Sequence, residues 1–62
     1  MPQLTAKELS AIEDQLNCEQ LLVKKYKNYA QMTQDAQIRN TCEQFAAKHK
    51  SHYDILMGHL SS

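Results

Sequence analysis

Apolar residues recur along this chain at intervals of three and four. Leu9, Ile12, Leu16, Val23, Tyr26 and Ala30 form one such series, broken only at Glu19. That spacing gathers side chains onto one face of an α-helix, and the stretch as far as Thr33 holds neither Gly nor Pro. A second series follows: Ile38, Cys42, Phe45/Ala46, His49, His52/Tyr53, Leu56 and Leu60. The pattern predicts a helix over about 6–33, a tight turn at about 34–35 and a helix over about 36–60.

End signals agree with the periodicity. Thr5-Ala6-Lys7-Glu8 has the form of a capping box: the Thr5 hydroxyl accepts from the Glu8 amide and the Glu8 carboxylate reaches back to the Thr5 amide. Leu4 and Leu9 flank it at hydrophobic-staple spacing. Asp35 suits the N-cap of the second helix. Gly58 is expected to mark fraying or a stop near its end. His59 lies by the negative pole of that helix.

Two helices of about 25 residues, each roughly 38 Å long, must run antiparallel when the loop between them is short. The chain therefore reads as all-α, a single helical hairpin over residues 1–62. A hairpin alone leaves one flank of each seam in water. Leu22, Tyr29, Phe45, Tyr53 and Met57 lie beside the seams and widen the apolar face. Two hairpins pairing about a two-fold axis into a four-helix bundle would cover it.

Composition sharpens this picture. With 62 residues, 42% of them hydrophobic, the chain is marginal as a lone domain. Two Cys cannot staple it as a disulfide scaffold. No apolar run reaches the roughly 18 residues of a membrane span, and no signal-peptide pattern is present. The expected setting is a reducing cytoplasm with both Cys as thiols. Seven basic residues balance seven acidic ones, which argues against a dedicated nucleic-acid binder.

Polar residues at seam positions carry the candidate chemistry. Glu19 fills the slot between Leu16 and Val23, and His49 one between Phe45/Ala46 and Leu56. With the turn near Gln34, antiparallel partners have positions summing to about 68, so Glu19 and His49 fall level, as do Tyr26 and Cys42. A buried carboxylate needs a partner. Glu19 and His49 form either a polar pair that fixes helix register or metal ligands, since carboxylate oxygen and imidazole nitrogen suit iron, zinc or manganese. His52, one turn after His49, reads as a half-exposed flank residue and as a weaker candidate ligand.

The remaining features read as structural. Cys18 and Cys42 fall about 10 Å apart along the axis, too far for a disulfide, and are expected as small buried filler. Tyr26, Tyr29 and Tyr53 are core-edge aromatics. Lys24, Lys25 and Lys27, with Lys48 and Lys50, read as solvated helix faces because acidic residues lie nearby. No nucleophile–base–orienter set or phosphate-cradling Gly loop is present.

The segments "LSAIEDQLNCEQLLVKKYKNY" (9–29) and "RNTCEQFAAKHKSHYDILMGHL" (39–60) together resemble the spore coat protein F-like family, within the wider ferritin-like group. The likeness spans about residues 5–60. It implies a half-ferritin: two helices per chain, paired into a four-helix bundle, in a sporulation or spore-coat setting of a Gram-positive bacterium. Metal-loaded ferritin-like relatives take a Glu from the first helix and a Glu-x-x-His pair from the second. Glu19 matches the first ligand, Tyr26 the Tyr one heptad later and His49 the His of the pair. Ala46 stands where the second Glu would be, so a dinuclear centre is not implied.

The reading is a non-enzymatic structural or interaction protein of spore coat type: a homodimeric bundle with no catalytic residues and no cofactor, assembling with other coat proteins. One alternative is a metal-binding bundle with a mononuclear or degenerate site from Glu19 and His49 of two chains. Another is a small adaptor that binds partner helices.

Overall fold

The computed structural model describes residues 4–61, which form two helices, α1 (Ala6–Met32) and α2 (Ala36–Ser61). The α1 start is fixed by the capping box. Thr5 Oγ1 accepts from the Glu8 amide at 3.1 Å, and the Thr5 amide donates to Glu8 Oε1 at 3.0 Å. The Glu8 carboxyl is held below the ordinary carboxylate range, chiefly by the bond from the Thr5 amide and next by the Thr5 side chain.

Thr33 ends α1 by turning extended, with φ −82° and ψ 144°. Its hydroxyl accepts from the Asp35 amide at 3.1 Å, and Asp35 then caps α2, its Oδ1 accepting from Gln37 N at 2.8 Å and Ile38 N at 3.1 Å. Arg39 reaches back from α2 to the carbonyls that the end of α1 leaves open. It donates from Nε to Ala30 O at 3.3 Å and from Nη2 to Thr33 O at 3.0 Å. A cation there also meets the negative pole of α1.

The helix limits fall where the periodicity put them, with α1 stopping one residue earlier at Met32. Gly58 neither frays nor stops α2, which runs on to Ser61. Glycine ends a helix by turning left-handed, and no glycine here has a positive φ. Half-buried Leu56 and Leu60 stand on either side of it within the helix.

The helices pack against each other as an antiparallel hairpin. Ala30 meets Arg39, Tyr26 meets Phe45 and Gln20 meets Tyr53, so numbers rise along α2 as they fall along α1. The buried centre is thin: Leu16, Ala30, Cys42 and Ala46, with Glu19 among them. Among the described residues no side chain is completely enclosed.

The molecule measures 47 × 16 × 11 Å with a radius of gyration of 14.5 Å. A compact chain of this length would have about 10.6 Å. Among the described residues no helix is long and apolar enough to cross a membrane.

Candidate functional site

Glu19 is the central residue of the 27-residue α1 and is 3% exposed. A carboxylate so placed is costly unless both oxygens find partners. Both do. Oε1 lies 2.8 Å from His49 Nδ1, and Oε2 lies 2.9 Å from His52 Nδ1. A carboxylate accepts, so the His49 ring donates an Nδ1–H to Oε1, while the His52 ring stands at ion-pair distance from Oε2. One acidic side chain of α1 thus bridges two imidazoles of α2.

The rings are held as well as bonded. His49 stacks on Tyr26, with centroids 5.8 Å apart and planes 2° apart. His52 stands edge-on to His49 at 5.6 Å and 85°. Tyr26 also meets Phe45 at 5.2 Å and Tyr29 at 6.2 Å. The ring contacts of Tyr26 therefore go to Phe45 and His49, beyond the Cys42 level at which the turn-centred count placed it.

This offset has a simple cause. Helical side chains lean toward their own N-terminus, so each covers a spot about one residue back. In an antiparallel pair the two leans add, and touching positions sum to about 70 instead of about 68. His49 falls just short of that for Glu19 and His52 just beyond it, so the carboxylate takes one ring on each oxygen. The lean was the signal in the sequence that raises His52 to an equal partner of His49.

Glu19, His49 and His52 each offer one ligand atom, and these atoms lie within 4.8 Å of one another. Two imidazole nitrogens and one carboxylate oxygen suit zinc, iron or manganese. The donor set fits one ion. Among the described residues the cluster holds a single carboxylate, that of Glu19. An ion held here would take the place of the two Nδ1 protons, and three protein ligands would leave its remaining positions to water or to another chain.

Elsewhere the chain is plainer. Cys42 is buried as expected, but Cys18 is exposed, because it lies at the edge of the seam where α2 does not reach. Lys50 pairs with Asp54 at 3.1 Å, on an exposed face. A shallow cleft of about 280 Å³ runs over Val23 and Tyr53 between Lys24, Lys27 and Lys50. Gln20 Nε2 donates to the Tyr53 hydroxyl at its edge, at 3.4 Å.

The opposite flank is apolar and uncovered. Tyr29, Tyr26, Phe45, His49 and His52 form a continuous run of rings across both helices. Its outer members remain open to water: Tyr29 is 46% exposed, Phe45 43% and Ile38, one helical face with Phe45, 52%. The histidine cluster opens onto this flank through His52. Compared with known proteins, the chain matches no family model, no curated protein and no solved structure.

Proposed function

We propose that this chain is half of a four-helix bundle, a non-enzymatic structural or interaction protein that works as a homodimer. One observation carries the reading. The hairpin exposes 4922 Å², whereas a compact chain of 7.2 kDa exposes about 4100 Å². The excess, about 800 Å², is the area one partner loses in a standard protein interface. Part of its apolar share lies on one flank, with Tyr29, Ile38 and Phe45, which is where a second hairpin would stack, while Leu9, Leu21 and Met57 are exposed on other faces. The coat-type role rests on the resemblance of residues 5–60 to the spore coat protein F-like family.

A dimer that melts to unfolded chains has a melting temperature that rises with protein concentration. Circular dichroism melts over a hundredfold concentration range should show that rise. A concentration-independent transition would sink the proposal.

A second reading, metal binding, is favoured by the convergence of Glu19, His49 and His52. In it the cluster holds one zinc, iron or manganese ion per chain, and a second hairpin stacked on the His52 flank excludes bulk water from it. Protein purified without a histidine tag and dialysed against zinc should retain about one ion per chain, as expected for a three-ligand site. Retention below a tenth of that, unchanged in Glu19→Ala, would remove this reading.

A further inference from the structure

We infer that the second copy docks α1 against α1, antiparallel, with the two-fold axis at the level of Glu19. The inference rests on the homodimer reading above and specifies its geometry. Asp14 and Lys25 are both exposed, and neither has an ion-pair partner among the described residues. They are eleven residues apart, close to three helical turns, so they share an azimuth to within about 20°. That azimuth borders the apolar flank: Lys25 Nζ stands 5.9 Å over the Tyr29 ring.

Their heights matter as much. Asp14 stands five residues before Glu19 and Lys25 six after it. A two-fold axis across the middle of α1 therefore sets Asp14 against the partner's Lys25, and Lys25 against the partner's Asp14. The same operation sets Phe45 opposite the partner's Leu56 and brings the two Glu19–His49–His52 clusters to one height. The other two-fold stacking runs the axis along the helices and lays α1 on α2 of the partner. It would place Asp14 level with Leu56 and Lys25 level with Phe45, without the two reciprocal Asp14–Lys25 pairs.

Exposed ion pairs add little affinity, and the apolar flank supplies most of it. What the pairs supply is choice of orientation, because like charges facing each other across an interface are strongly disfavoured. Cys18, exposed on the same flank one residue from the axis level, faces its own copy in this arrangement.

Sedimentation of charge-reversed variants tests the geometry. Asp14→Lys and Lys25→Asp, made singly, should each weaken the dimer by about tenfold or more, since each sets like charges together twice. The double variant should return the dissociation constant to within about threefold of the unsubstituted protein, because the pairs are then only inverted. Helicity at high concentration shows that each variant still folds. A short thiol cross-linker should join Cys18 to Cys18 and leave Cys42 unmodified. A dimer whose single variants associate normally, or whose double variant is not rescued, would overturn this geometry and leave the dimer standing. A monomeric unsubstituted protein would overturn both.

Discussion

Glu19 and His52 meet across the helix pair at 2.9 Å, while the other oxygen of the same carboxylate holds His49 at 2.8 Å. Through these two contacts the most deeply set charged side chain of α1 fixes the height of α2. A slide of either helix by one turn would leave the carboxylate only one of its two ring partners.

The first prediction concerns what this bridge contributes. Glu19→Gln keeps the size but turns an amide NH₂ toward a donor ring, so thermal stability should fall by about 1–2 kcal/mol. Glu19→Leu removes the buried charge outright and leaves two rings that already reach water. It should stay folded, with stability equal to or above that of the native chain. Circular dichroism melts of the two variants decide this. Unfolding of the Leu variant would show that the pair is indispensable to the fold.

Much of this was legible in the sequence, and the reason is local. The Thr5–Glu8 box and the Asp35 cap are set by residues within three positions of each other, so the helix limits follow from the chain alone. The level of Glu19 with His49 needed only the position of the turn. His52 required the lean of helical side chains, which a count from the turn leaves out. Arg39 went unread because its targets, the carbonyls of Ala30 and Thr33, are backbone atoms with no signature in sequence. The exposure of Cys18 depends on how far α2 overlaps the seam edge, and periodicity does not fix that.

Zinc competition against a chromophoric chelator gives the second prediction. His52→Ala and His49→Ala should each weaken zinc binding by at least about tenfold, as loss of a direct ligand should cost no less than loss of an outer-shell partner. Lys50→Ala, on the exposed face with Asp54, should leave it unchanged. If His52→Ala bound zinc normally, His52 would be only an ion-pair partner of Glu19.

The turn gives a third. Asp35 Oδ1 accepts from the Gln37 and Ile38 amides at the start of α2. Asp35→Ala should cost about 0.5–2 kcal/mol in chemical denaturation, and Asp35→Asn much less. Equal losses would mean that the side-chain oxygen is not what caps α2.

A fourth follows from Glu8. Its carboxyl is lowered by the Thr5 bonds, so the folded form holds it ionised to lower pH than the unfolded chain does. The stabilisation is present above the ordinary carboxylate range and is lost as pH falls through the lowered value. Protection of the first-turn amides of α1, taken relative to their intrinsic exchange rates, should fall under acid before the rest of the helix responds. Glu8→Gln should flatten that dependence, and an unchanged acid profile in this variant would contradict it.

Sedimentation equilibrium at low micromolar concentration bears most directly on the central claim, that one chain is half of a bundle. A species of twice 7.2 kDa, helical and concentration-linked, is the predicted result. A well-folded, cooperatively melting monomer of 7.2 kDa would contradict it.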